Sequence, residues 1–275
     1  MVKEIERGFK EEEYYGWRCA GHMVDKYLAG CLAASSYDSV FKNFKKQDSY
    51  GYILEHVPPD LGTLYLRNIE TNNPALLHEF TKFTINDKLG NPYLGKFKFS
   101  KIENLQLQTS PTTTRYVKVL SDLITLYGSL DNLNIVEIGA GYGGLALVIS
   151  QHFNVKNYYD IDLFEPGRLA DRYCRKEHKM NNFHVLTPEQ LDELENVEID
   201  LVISNYAFSE CNYETQDIYI DKILSKAKRG YITHNNSEER RNRTKSIIEA
   251  YDGFKVFDVD LCKKEHPIFT WGNSE

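Results

Sequence analysis

At 275 residues and 41% hydrophobic, the chain is long enough to bury one large core, or a core with a small satellite, and too apolar for disorder to be its default. A net charge of −7 and a pI near 5.7 argue against a nucleic-acid partner, whose phosphates call for a basic face, and favour small neutral or cationic ligands. Cys19, Cys31, Cys174, Cys211 and Cys262 form no CxxC pair and leave an odd one over, so they read as reduced thiols of a cytoplasmic protein.

The opening stretch, MVKEIERGFKEEEYYGWR, is charged and lacks the apolar centre of a signal peptide. Met23, Val24, Tyr27, Leu28, Cys31 and Leu32 recur at helical spacing and predict one amphipathic helix. From there to residue 109, GYILEHVPPDLGTLYLRNIE and NDKLGNPYLGKF are rich in Gly, Pro, Asn and Asp. They predict loops and short elements, so that 1–109 forms a helical and irregular cap on a larger domain at 110–275.

Within SPTTTRYVKVLSDLITLYG, Ser110 is placed to cap a helix, Pro111 suits its first position, and Tyr116, Val117, Leu120, Leu123, Ile124 and Tyr127 make one apolar face. NIVEIGAGYGGLALVIS then reads as strand, glycine turn and helix. Ile138 to Val155 carries no Asp, Glu, Lys or Arg, but its four glycines and its Ser150, Gln151, His152 and Asn154 make it a poor membrane span.

Strand and helix signals alternate from this point: NYYDIDL, a helix from about Pro166 to Lys179, NFHVL, a short helix, IDLVISNY, a helix near 214–227, GYITHN and a helix near 237–249. Such alternation implies parallel strands with crossover helices. FKVFDVDL and HPIFTWGN have no helix between them, so the last strand is expected to run antiparallel at or near the sheet edge. The fold expected is α/β and Rossmann-like, with a seven-stranded, mostly parallel sheet.

The glycine cluster fits two patterns. Gly139, Gly141 and Gly144 fit the dinucleotide fingerprint GxGxxG, whereas Glu137, Gly139, Gly141 and Gly143 fit the ExGxGxG of enzymes that use S-adenosyl-L-methionine (SAM). Glu137 favours SAM, because dinucleotide enzymes usually carry an apolar residue there. Ala140 and Tyr142 complete the loop. Either cofactor calls for an acid after the second strand to accept from ribose hydroxyls; Asp162 supplies it, with Asp160 expected on the opposite face. A nicotinamide oxidoreductase and a non-catalytic binding subunit remain the alternatives.

The blocks NDKLGNP, SPTTTRYVKVLSDL, IVEIGAGYGGLA, YYDIDL, ISNYAFSE and HPIFTWGN, spanning about residue 86 to the end, resemble a family of sugar O-methyltransferases. The resemblance implies a class I SAM domain that moves a methyl group to a hydroxyl of a sugar or sugar-derived precursor, for capsule or other surface polysaccharide, with S-adenosyl-L-homocysteine as product. A phosphoryl or phosphoramidate-type acceptor also fits that setting. Glu137, Gly139, Gly141, Gly143 and Asp162 match the family's cofactor residues, and Arg115 becomes a candidate for the methionine carboxylate. The chain departs from many SAM enzymes at Leu186, Thr187 and Pro188, where an acid often holds the adenine amino group.

In an open parallel sheet, ligands lie beyond the carboxyl ends of the strands. Asn205 to Glu210 and His234 to Asn236 therefore matter. Asn205 is expected at the cofactor, Tyr206, Ser209 and Asn235 at the acceptor, and His266 approaches from the tail. Glu210 and His234 are the two candidate bases for the hydroxyl proton. No compact metal-ligand motif is visible, EERRNR at 238–243 reads as a solvated helix face, and no membrane insertion is expected.

Overall fold

The computed structural model describes residues 21–98, 106–235, 237–259 and 266–272. The expectations for the first 18 residues, for Cys19 and Cys262, for the side chains of Met23 and Val24 and for Asn236 lie outside the described residues.

A seven-stranded sheet is built from β3 (Asn134–Ile138), β4 (Asn157–Ile161), β5 (Phe183–Leu186), β6 (Leu201–Asn205), β7 (Gly230–Thr233), β8 (Lys255–Val259) and β9 (Pro267–Trp271). Its order is β5-β4-β3-β6-β7-β9-β8. The first five are parallel to one another, and β9 runs antiparallel between β7 and β8. The antiparallel last strand thus lies one place in from the edge, which β8 forms. Strand order reverses between β3 and β6, so the crevice at the carboxyl ends of those two strands is the ligand position of the fold.

The central strands read as continuous apolar runs because both faces are covered. Ile135, Leu201 and Ile203 enter one cluster, while Val136, Ile138 and Val202 enter the other, the period-two alternation of a pleated strand. Helix α4 (Pro111–Tyr127) begins as expected, with Ser110 Oγ accepting from Thr113 N at 3.0 Å and Pro111 at the first position. The chain turns at Gly128 and enters β3. The helix expected over 166–179 is α6 (Phe164–Ala170), continued by a wider π turn at 171–177 that carries Tyr173 and Cys174 inward.

The N-terminal region is more helical than its glycines and prolines suggest. GYILEHVPPDLGTLYLRNIE, expected as loop, holds the end of α2 (Asp48–Leu54) and nearly all of α3 (Pro59–Asn72). Pro59 starts α3 where a missing N–H costs nothing, and Leu61, Tyr65, Leu66 and Ile69 form its buried stripe. Gly62 lets Phe97 and Pro111 approach, since a Cβ there would lie 3.1–3.2 Å from both. β1 (Gly95–Lys98) and β2 (Gln106–Thr109) form a separate antiparallel pair. Helix α1 (Gly21–Ser36) buries Tyr27, Leu28, Cys31 and Ala34 in the same apolar cluster as α4 and β3, so one core runs through both parts of the chain. Among the described residues, no helix is long and apolar enough to cross a membrane.

Candidate functional site

The turn after β3 passes through Gly139 at φ 77° and Gly141 at φ 66°, in the left-handed region that favours glycine. Space forbids a side chain as well. A Cβ on Gly139 would lie 2.2 Å from Ala207 Cβ, and one on Gly141 would lie 2.7 Å from Leu54 Cδ1. Gly143 ends the loop and α5 (Gly144–Ser150) begins.

Three acids converge on this loop. Asp162 Oδ2 accepts from Gly141 N at 3.0 Å and its Oδ1 from Leu163 N at 2.7 Å. Asp160 Oδ1 accepts from Ala140 N at 3.3 Å, while its Oδ2 is buried without a partner. Asp160 therefore does not turn away from the loop as expected: residues two apart on a strand share a face, so both carboxylates are presented together. Glu137, in register with Asp160, accepts from Tyr158 Oη at 2.6 Å and from the Asn205 amide.

Burial pushes the Glu137 carboxyl up to about 7, opposed by the Tyr158 and Asn205 hydrogen bonds. Asp162 is pushed up to about 7 by burial, against the pull of the Gly141 and Leu163 amides. Asp160 is raised well above the usual carboxylate range by burial and then by the charges of Asp162 and Glu137. Crowded, dry carboxylates of this kind gain from a cation or from hydrogen-bond donors.

The other side of the crevice is the end of β6. Asn205 Oδ1 accepts from Thr233 Oγ1 at 3.3 Å, and Tyr206 follows at φ 74°, a strained conformation for an aromatic residue and one that concentrates at functional sites. Its ring lies 4.6 Å from the Arg115 guanidinium carbon and 5.6 Å from the His266 ring. The structure thus brings Glu137, the glycine loop, Asp162, Asn205, Tyr206, Arg115 and His266 to one region. Leu186 ends β5 beside Asp162, whose N–H donates to the Leu186 carbonyl at 3.2 Å, and Thr187 follows it.

Ser209, Asn235 and Glu210 form a second group. Ser209 Oγ is 2.6 Å from Asn235 Oδ1, and Asn235 Nδ2 donates to Glu210 Oε1 at 2.7 Å; Glu210 itself is exposed. His234 is wholly buried, with Nε2 3.2 Å from Thr244 Oγ1 on α7 (Glu238–Ile248). Burial, then the charges of Arg241, His266 and Arg240, hold it down at about 4, so its ring is neutral near pH 7. Among the described residues, no cluster of His, Cys, Asp or Glu suits a metal ion.

Sequence reasoning missed the N-terminal contributions. Tyr27 and Cys31 of α1 lie close enough to Asp162 to feel its charge, and Leu54 of α2 packs on Gly141. The NDKLGNP and SPTTTRY blocks prove to be partners. Asp87 accepts from Thr109 Oγ1, Ser110 N and Thr113 Oγ1 at 2.6, 3.0 and 2.7 Å, and Asn86 Nδ2 donates to Thr113 Oγ1 and to Tyr142 Oη at 2.8 and 3.0 Å. Asn86 so ties the start of α4 to the glycine loop.

No protein-family model and no curated protein matches the sequence. Among solved structures, the chain is similar to a precorrin-8w decarboxylase of Methanobacterium thermoautotrophicum, at 18% identity over 56% of this chain and 89% of the other, with a TM-score of 0.42. It is also similar to an rRNA methylase of Streptococcus thermophilus, at 16% identity over 58% and 98% of the two chains and a TM-score of 0.43. A third is the TrmK of M. capricolum, solved with S-adenosyl-homocysteine, at 17% identity over 53% and 66% and a TM-score of 0.37.

Proposed function

We propose that this chain is a SAM-dependent O-methyltransferase acting on a sugar or sugar-derived hydroxyl, with residues 1–109 capping the acceptor. The observation that carries the reading is the acidic rim of the glycine loop. Glu137 and Asp160 are buried there, Asp162 is half-buried, and all three are raised in pKa. Asp162 would serve the ribose of either cofactor, but a dinucleotide would bring a pyrophosphate to the start of α5, against Glu137 and Asp160. SAM brings a positive sulfur and an ammonium, which those acids favour.

The residues fit that cofactor. Asp162 takes the ribose hydroxyls, and Asp160 offers a buried oxygen that has no partner within the protein. Glu137 and Asn205, with Arg115 facing them over Tyr206, suit the zwitterionic methionine end. Leu186 and the backbone at Thr187 serve the adenine in place of an acid. When bound, SAM supplies a methyl group made electrophilic by its positive sulfur. The protein's part is to align the acceptor oxygen, keep water out and accept the hydroxyl proton. Tyr206 and His266, beside Arg115, border the acceptor side. The sugar class, its link to surface polysaccharide and a cytoplasmic setting rest on the sequence blocks and the cysteine pattern.

Titration of S-adenosyl-L-homocysteine by calorimetry tests the cofactor, with Asp162→Ala and NADH as controls. Two charge-assisted hydrogen bonds at roughly 1.5–3 kcal/mol each predict a loss on the order of 10²-fold or more in the variant. NADH should give no heat. NADH binding, or a folded wild type blind to S-adenosyl-L-homocysteine, sinks the reading.

A further inference from the structure

A cavity of about 350 Å³ opens beside the first turn of α4, lined by Lys45, Lys46, Glu55, His56, Tyr93 and Thr112 among others. It falls at the lower end of the roughly 300 to 1,000 Å³ of ligand pockets, a size suited to one sugar ring. One acid in its wall stands out. Glu55 Oε1 is shut off from solvent and has no hydrogen-bond partner, while Thr112 and Tyr142 hydrogen-bond to the carboxyl group.

The cavity wall is tied to the cofactor crevice through neighbouring residues. Glu55 follows Leu54, the side chain that rests on Gly141, and Tyr142 belongs to the glycine loop itself. On the neighbouring wall, His56 feels the charge of Arg115, whose guanidinium lies over Tyr206 at the end of β6. Glu55 is thus linked to the glycine-loop side of the crevice by direct contacts, and to the β6 side by the charge of Arg115 on His56.

We infer that this cavity receives the acceptor and that Glu55 is the base that takes its hydroxyl proton. The inference rests on the methyltransferase reading above. In the step, the acceptor oxygen forms its bond to the methyl carbon as the carbon–sulfur bond breaks, the electron pair of that bond stays on sulfur, and the hydroxyl proton passes to the Glu55 carboxylate. Charge and proton count balance without a further reactant.

Burial pushes Glu55 up to about 7, tempered by the Lys45 charge and by the Thr112 and Tyr142 hydrogen bonds, which suits a base working near neutral pH. Lys45 is fixed for that role, its Nζ donating to the Asn86 carbonyl at 2.5 Å and lying 4.3 Å from the Tyr142 ring centre. Lys46, exposed, adds a cation at the same cavity, which favours acceptors with an anionic group such as a nucleotide-sugar diphosphate. Glu210 and His234 are less well placed: the first is exposed and bonded to Asn235, the second is turned to Thr244.

Conduritol B epoxide, a cyclitol with the shape of a hexose, tests the assignment without knowledge of the natural acceptor. The carboxylate oxygen forms an ester bond to an epoxide carbon as that carbon's bond to the epoxide oxygen breaks, and the epoxide oxygen takes a proton from water. Peptide mass analysis of wild type and Glu55→Gln, each with S-adenosyl-L-homocysteine present, should find the adduct on the Glu55 peptide and its loss in the variant. No adduct on that peptide, or an adduct on Glu210 instead, overturns the assignment.

Calorimetry on the same samples separates the two ideas. A wild type that fails to bind S-adenosyl-L-homocysteine defeats the methyltransferase reading, whereas binding without the adduct defeats only the role of Glu55. Retained binding in Glu55→Gln shows that the variant is folded. With any nucleotide sugar that wild type methylates, kcat should fall on the order of 10²- to 10⁴-fold in the variant, with loss of the rise in rate through about pH 7. A variant that keeps wild-type kcat and its pH profile overturns the assignment as well.

Discussion

Replacing Glu137 by glutamine should stabilise the protein while impairing cofactor binding. Glu137 lies within β3, nearly inaccessible, and burial raises its pKa from 4.5 to about 7. A folded-state pKa above the unfolded one means that the folded chain holds the proton more tightly. Stability is then fully present below pH 4.5 and lost as pH rises towards about 7, after which the loss is constant. At 1.36 kcal/mol per pH unit, the loss is about 3 kcal/mol.

Glutamine cannot ionise and so escapes that loss, although it gives up a charge-assisted bond from Tyr158 Oη. After allowing about 1 kcal/mol for the weaker bond, Glu137→Gln should be more stable than wild type by roughly 1–3 kcal/mol at pH 8. The two proteins should be nearly equal, or the variant slightly weaker, at pH 4.5. Urea unfolding of cofactor-free protein at both pH values measures this. A variant less stable than wild type at pH 8, or a difference that does not change with pH, would refute the idea that the acid is a burial cost retained for a cationic ligand.

Binding of S-adenosyl-L-homocysteine should itself depend on pH. Ribose hydroxyls donating to Asp162 favour its ionised form, so binding at pH 6 should release protons, seen as heats that vary with the buffer, and affinity should rise towards about pH 7. Buffer-independent heats at pH 6 would contradict this. Gly139→Ala combines a left-handed φ with a contact of 2.2 Å to Ala207, and a cost of about 2–5 kcal/mol is expected in urea unfolding. Gly141→Ala should cost less, about 1–2 kcal/mol, because the tip of Leu54 can rotate away. On the far side of α4, Lys118 and Asp122 form a buried ion pair at 2.6 Å, and Tyr231 Oη donates to the same carboxylate at 2.7 Å. Lys118→Met removes that cation from the buried carboxylate and should cost about 3–5 kcal/mol, measured the same way.

The sheet domain was legible because its signals are local. Ser110 and Pro111 start a helix by cap chemistry, the apolar runs at 134–138 and 201–205 are what a strand covered on both faces requires, and the glycines mark a turn that no other residue can make. The same local reading went astray in the N-terminal region, where glycine and proline counted as loop signals. Gly62 is a contact point inside a helix and Pro59 a helix start, and only the packing of α3 on Phe97 and Pro111 says so.

For the site, the sequence by itself determined the residue types at the strand ends: Glu137, the glycines, Asp162, Asn205 and Tyr206 follow apolar runs and so stand at the carboxyl edge of the sheet. It could not determine their protonation, which depends on how much water the folded chain removes. Nor could it single out Glu55, flanked by a Leu and a His in a stretch that reads as loop. Its carboxylate becomes a candidate base only because the fold carries α2 across the chain to Gly141 and Tyr142, far away in sequence. Spacing along a chain encodes the partners within one element or turn, whereas the dielectric and the company of a buried charge are set by segments that meet only when the whole core has formed.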